Sequence, residues 1–430
     1  MLYDWRPTTS GCARAARGMP SSTGTRHTRA SAAALGAAHS NNESHPMPEH
    51  NIDQPEWVGA WYAAPTPVIS ANVVGRTLRQ IVRVAAGGQQ VRLRLSNRYG
   101  SEPVSIRSVS VGKLLRAPAV WPAPQPVRFQ GSHALTILPG QDAISDPIAL
   151  GIAAMRSLAI TFFVERGEIT NGHGVGLETS YISPLGDYTA APEDAAWMHY
   201  PLQTSARWLL CGVDVLPAEP LGAVVAIGSS VTDGVGSTHG QHGSWPDQLA
   251  ARLAVAGGDR LMAVLNAGIS GNQLIGQGSP GEGMPPLWGE PGLARLEWDV
   301  LAQPGVRDLI IHIGSNDLRA GASADQLIAA LQQLATRARG VCRRVLGTTI
   351  LPGGYTPEQN AQRERVNAWV LEQGRTCFDA VFDFATPLCD PADHALLAPM
   401  CDSGDGVHPN DEGYRRMAEA VDIRQLSGRA

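Results

Sequence analysis

Between Trp57 and about Val215 the chain alternates apolar and polar residues with the two-residue period of half-buried strands. "VRLRLSN" (91–97) and "SIRSVSVG" (105–112) show the alternation, and "LAITFFVE" (158–165) is a longer run of strand-forming residues. "RWLLCGVDVL" (207–216) reads as a closing strand. Pro and Gly interrupt these runs at short intervals and no helical period intervenes, which predicts a β-sandwich or jelly roll.

After Pro220 the pattern changes. Largely apolar runs, "GAVVAIG" (222–228), "LMAVLNAG" (261–268) and "VRDLIIHIG" (306–314), predict buried strands, joined by "RRVLGTTIL" (343–351) and "AVFDFATPL" (380–388). Between them lie segments of helical composition at 244–257, 323–340, 356–374 and 410–423, the first with Ser244 as cap and Pro246 in its first turn. Strands alternating with helices through short connections predict an α/β fold, a doubly wound parallel sheet of the three-layer, flavodoxin-like kind. The expected organisation is therefore a disordered extension (1–46), a β-sandwich domain (47–217) and an α/β domain (218–430).

Composition narrows the function classes. A hydrophobic content of 43% with 17% charged residues suits a globular enzyme or binding protein. The formal net charge of −5 is spread without long runs of one sign, so no nucleic-acid footprint is expected. The basic residues are nearly all arginine, Lys113 being the lone lysine. No stretch approaches the roughly 20 apolar residues of a membrane helix. Residues 1–46 are rich in Ser, Thr, Arg and Ala and lack the large apolar side chains a core requires, hence the expected disorder. "AAALGAA" within them is too short and weakly apolar for a convincing secretory signal, and Met47 is an equally good start, so secreted, periplasmic and cytoplasmic locations stay open. Six cysteines make no disulfide scaffold; Cys389 and Cys401 could bridge, but two unpaired thiols are the favoured reading.

Four short stretches fall at the carboxyl ends of the expected parallel strands, where ligands of such sheets bind. They are "GSSVTDG" (228–234), "NAGISGN" (266–272), "GSNDL" (314–318) and "SGDGVHPN" (403–410). Together they supply what acyl transfer needs. A serine hydroxyl becomes nucleophilic when a histidine takes its proton, and a carboxylate must hold that histidine's tautomer. Asp405 and His408, three apart in one loop, can form that pair. A tetrahedral intermediate needs preplaced donors, for which the Asn316 amide, the Gly271 N–H and the nucleophile's own N–H are candidates.

In this order the four stretches resemble the conserved blocks of the SGNH/GDSL hydrolases. The resemblance implies Ser230 as nucleophile, Gly271 and Asn316 with Ser230 N–H as oxyanion donors, Asp405 as orienter and His408 as general base and then acid. No metal or organic cofactor is implied. Through "WVGAWYAAP", "TLRQIVRV" and "VRLRLSNRYGSEPVSI" the first half resembles the accessory β-sandwich of a bacterial subgroup of the family. The usual Gly-Asp-Ser reads Gly228-Ser229-Ser230 here. Loss of that aspartate, which is not the triad acid, is expected to lower activity, and Ser229→Asp leaving turnover unchanged or lower would contradict this.

The expected function is serine esterase action on short-chain acyl esters or O-acetylated carbohydrates. The rivals are an O-acyltransferase passing the acyl group to a sugar, and a catalytically impaired carbohydrate-binding protein. The partner is a small-molecule ester or acylated carbohydrate, and the oligomeric state is left open. His312 reads as a satisfied core histidine, His239 and His242 as facing water, and Asp317 as a turn residue. Trp57, Trp61 and Trp208 read as sandwich core, and "NGHGVGLETSY" (171–181) as a surface loop.

Overall fold

A computed structural model, describing residues 56–68, 73–192, 203–276 and 289–428, turns the apolar runs of the second half into one sheet of five parallel strands. Their order in space is Ala263–Gly268, Ala223–Gly228, Val306–His312, Arg344–Thr348 and Ala380–Phe382, so the first strand in sequence lies second. Ala223–Gly228 is buried at every position, as a central strand covered on both faces must be. Gly228 is in register with Gly268 on one side and His312 on the other. The strand ends therefore open together at one edge of the sheet, and the sequence motifs gather there. The disorder expected for residues 1–46 lies outside the described residues.

The helices begin where their capping residues stand. Ser244 accepts from the Asp247 N–H ahead of Trp245–Ala256. Ser323 and Thr356 each form a reciprocal capping box with a glutamine three residues on, ahead of Ala324–Ala338 and Pro357–Glu372. Asn410 caps Asp411–Ala420. The strand expected over 380–388 stops at Phe382. The Thr349 hydroxyl and the Asp383 carboxylate accept the N–H groups of Phe384, Ala385 and Thr386, so the backbone turns out of the ladder. An unanticipated helix, Gly292–Leu296, runs on as a π turn through Leu301.

The first half forms an antiparallel β-domain. Val58–Tyr62, Leu210–Leu216, Gln90–Ser96 and Asp142–Ile144 make one sheet, and Ser180–Leu185, Arg76–Arg83, Ser157–Arg166 and Val104–Arg116 are consecutive in another. The single closing strand expected over 207–216 is broken. Leu209 takes a left-handed φ of 58°, and Arg207–Trp208 peels away to pair with Asn171–His173 in a third, small sheet.

The two halves are not separate bodies. Val58 and Ala60 belong to the same apolar core as Ala263, Leu265 and Val225 of the parallel sheet. The contact is so close that a Cβ on Gly59 would stand 2.7 Å from a Leu265 methyl, and Gly59 N–H donates to the Pro304 carbonyl at 2.9 Å. Among the described residues no helix is long and apolar enough to cross a membrane.

Candidate active site

Ser230 is the first residue of a single helical turn, Ser230–Asp233, that follows the strand Ala223–Gly228 directly. The turn is tight: a Cβ on Gly228 would fall 1.9 Å from Thr232 Oγ1, so only glycine fits there. Ser229 is buried behind the turn, and its hydroxyl does not cap the helix.

The loop between Cys401 and Asn410 brings its histidine to this serine. His408 Nε2 lies 2.9 Å from Ser230 Oγ, and His408 Nδ1 lies 2.6 Å from Asp405 Oδ2. The other Asp405 oxygen accepts the N–H groups of Val407 and His408 at 2.9 and 2.8 Å, so the carboxylate folds the loop as well as facing the ring. Burial pushes the Asp405 carboxyl up, but the hydrogen bonds from His408 and Val407 outweigh it and hold the group below the usual aspartate value. Asp402 accepts from the N–H groups of Gly404 and Gly406, closing the preceding turn.

Gly271 and Asn316 meet through Asn272. Gly271 has a φ of +79°, which turns the loop after the strand Ala263–Gly268. The Asn316 amide donates to the Asn272 carbonyl at 2.9 Å. Asp317 does more than stabilise its own turn: its carboxylate accepts the Leu274 and Ile275 N–H groups, both at 2.8 Å, and so fastens that loop to the one carrying Asn316. Beside Ser230 a small pocket is lined by the apolar Ile313, Ile350, Leu351, Pro352 and Val407 and by the polar Ser315, Arg319 and Tyr355.

His312 also borders this pocket but is committed elsewhere. Its Nδ1–H donates to Thr348 Oγ1 at 2.8 Å, whose own proton goes to the Ile311 carbonyl, and burial lowers its pKa to about 4. The core-histidine reading holds. Trp208 is buried, and Trp61 packs against the core. Trp57 is half-buried, with the Arg92 guanidinium 4.7 Å from its ring centre. Cys389 and Cys401 are free thiols.

Two expectations are overturned. The segment 171–181 is not a plain surface loop: His173 Nε2 reaches Asp233 Oδ1 at 2.8 Å, and the Leu177 carbonyl accepts from Gly240 N–H. Of the two histidines expected to face water, His239 does, being exposed while its ring bonds Thr179 at 3.0 Å, whereas His242 is half-buried 3.7 Å from Glu178. These contacts set this β segment against the α/β half.

The sequence reading also missed Arg295, which is 1% exposed. It donates to Asn272 Oδ1 at 3.1 Å, the Ala267 carbonyl at 2.8 Å, Asp299 Oδ2 at 2.9 Å and the Gly228 carbonyl at 2.9 Å. The signal was present: an Arg and an Asp four apart amid the apolar positions of "LARLEWDVLA" mark a buried pair. Among the described residues no group of His, Cys, Asp and Glu is arranged to hold a metal ion.

Residues 226–416 match the GDSL-like Lipase/Acylhydrolase family. No curated protein matches the chain. Several solved structures are similar to about half of it. A lipolytic protein of the G-D-S-L family from Desulfitobacterium hafniense is 24% identical, covering 47% of this chain and 99% of its own, with a TM-score of 0.36. The aryl esterase of M. smegmatis is 17% identical over 48% of this chain and 99% of its own, with a TM-score of 0.37. A variant of Axe2, an acetyl-xylooligosaccharide esterase from Geobacillus Stearmophilus, is 21% identical over 49% and 95%, with a TM-score of 0.36.

Proposed function

From the premise that residues 226–416 carry a GDSL/SGNH-like hydrolase fold of esterase type, we propose that the protein is a serine esterase acting through Ser230, His408 and Asp405. The observation that carries this reading is the position of His408, with one ring nitrogen 2.9 Å from Ser230 Oγ and the other 2.6 Å from Asp405 Oδ2. That contact fixes the tautomer. Asp405 accepts the Nδ1 proton, so Nε2 presents a lone pair to the serine hydroxyl.

Ser230 Oγ attacks the ester carbonyl carbon as its proton passes to His408 Nε2. The carbonyl oxygen, now negative, is received by the N–H groups of Ser230 and Gly271 and the Asn316 amide. Each such donor is worth about 3 to 4 kcal/mol of barrier. Collapse of the intermediate breaks the bond to the alcohol oxygen, which takes the proton from His408. Water repeats the cycle on the acyl-enzyme: His408 removes its proton, and Ser230 Oγ leaves carrying one. The small pocket beside Ser230, with Ile313, Ile350, Leu351, Pro352 and Val407 among its walls, supports short acyl chains, such as acetyl esters of simple alcohols or carbohydrates.

The test is hydrolysis of nitrophenyl acetate, butyrate and octanoate by the full chain and by Ser230→Ala. Wild-type turnover falling to background in the variant, with acetate preferred to octanoate, is the expected result. Equal turnover by both proteins would remove Ser230 from the reaction.

A further inference from the structure

Two of the β-domain side chains that reach the α/β half, His173 and Tyr62, lead to the same loop. His173 is held between the Ala64 carbonyl (Nδ1, 3.0 Å) and the Asp233 carboxylate (Nε2, 2.8 Å). Both partners only accept, so the ring carries two protons. Burial works against that charge, but Asp233 more than offsets it and the pKa of His173 rises. The second Asp233 oxygen accepts from Ser270, through N–H at 2.9 Å and Oγ at 2.7 Å. The other path starts at Tyr62, whose hydroxyl donates to Asp299 Oδ1 at 2.7 Å. Asp299 Oδ2 receives Arg295, and Arg295 holds Asn272 Oδ1.

The two paths end on Ser270 and Asn272, the residues immediately before and after Gly271. Each also grips the turn bearing the serine: Asp233 is the third residue past Ser230, and Arg295 bonds the carbonyl of Gly228, two residues before it. We propose that His173 and Tyr62 are positioning residues, which hold the Gly271 loop in register with Ser230 and so make the β-domain a working part of the catalytic apparatus. This rests on the roles proposed above for Ser230 and Gly271. Domain adhesion alone does not account for the arrangement. Desolvating the His173–Asp233 pair costs about as much as its attraction returns, and an apolar side chain would join the domains at least as well. What the charged relays add is direction, and an oxyanion donor needs it: an error of about 1 Å at a reacting centre costs on the order of 10²-fold in rate.

Because the donors act on charge that develops only in the transition state, loosening them lowers kcat and leaves KM alone. The experiment uses the full chain with Tyr62→Phe, which removes one oxygen, His173→Ala, and His173→Gln, which restores a donor toward Asp233. It reads kcat and KM for nitrophenyl acetate, the rate at which a fluorophosphonate probe labels Ser230, and melting temperature. Tyr62→Phe and His173→Ala are expected to lower kcat and labelling rate about tenfold with KM within about twofold, and His173→Gln to recover most of the loss. A folded Tyr62→Phe protein with wild-type kcat and labelling rate would overturn the inference, and so would losses confined to KM. Those results leave Ser230 labelled in wild type. Wild type unlabelled, or Ser230→Ala labelled as fast as wild type, would instead bring down the reading of Ser230 and this inference with it.

Discussion

Asp405 serves two ends with its two oxygens, and substitution can separate them. One oxygen folds the loop by accepting two backbone N–H groups; the other receives His408 Nδ1–H. In Asp405→Asn the amide oxygen can keep the backbone contacts while its NH2 faces the ring. Nδ1 must then accept, the ring proton moves to Nε2, and the lone pair that Ser230 needs is gone. Turnover should fall about 10³-fold or more with the fold intact, measured as kcat on nitrophenyl acetate beside a circular dichroism spectrum. A loss below tenfold would remove Asp405 from the role proposed for it. The direction of the Asp405 shift matters as well. Its folded pKa is depressed, so its ionised contacts are complete above the unfolded value and are lost only as the pH falls through the lower folded one. Mild acidification therefore does not discharge it.

At the scale of elements, the strand Val306–His312 carries a titratable group into the core. His312 is neutral when folded, with a pKa lowered to about 4 by burial, while the unfolded chain holds an ordinary histidine near 6.5. Between those values the unfolded state binds the extra proton, so stability falls as the pH drops from about 6.5 toward about 4. From pH 7 to pH 5 the loss is about 2 kcal/mol. His173 contributes with the opposite sign. Its folded pKa is raised, so its stabilisation is complete below the unfolded value and is lost as the pH rises through the folded one. A wild-type profile mixes the two, and His312→Gln separates them: the variant should lose about 2 kcal/mol less than wild type between those pH values in urea unfolding. Equal losses would mean that His312 is not buried neutral.

The same scale shows what the chain discloses locally. Ser244, Ser323, Thr356 and Asn410 sit where their helices start, and each apolar run after Pro220 became a strand, because caps and burial act within a few residues. The strand over 380–388 was shortened by Thr349, more than thirty residues away. Ser230, Gly271, Asn316, Asp405 and His408 could be proposed from the sequence because each lies in a short motif, although the loop of Asp405 and His408 stands roughly twenty residues beyond the strand that ends at Phe382. Arg295, Asp299, Tyr62 and His173 belong to no such motif. The partners of Tyr62 and His173 lie across the domain boundary, 237 and 60 residues away, and no periodicity records a hydrogen bond of that span.

For the whole molecule, the shared core makes the β-domain and the α/β region one cooperative body. Residues 54–430 form one compact unit, and Val58 and Ala60 occupy apolar surface over the Ala263–Gly268 strand. Freeing either half would expose that surface, so neither is expected to unfold first. Calorimetry of the full chain should show a single transition with equal calorimetric and van't Hoff enthalpies. Gly59 offers the local probe. Its Cβ would meet a Leu265 methyl at 2.7 Å, a flexible side-chain end that can yield at a cost, so Gly59→Val should lower stability by about 1 to 3 kcal/mol. If the halves are one body, the variant shifts the whole transition downward without splitting it. Two resolved transitions in wild type, or a Gly59→Val variant in which only part of the heat absorption moves, would show that the halves unfold independently.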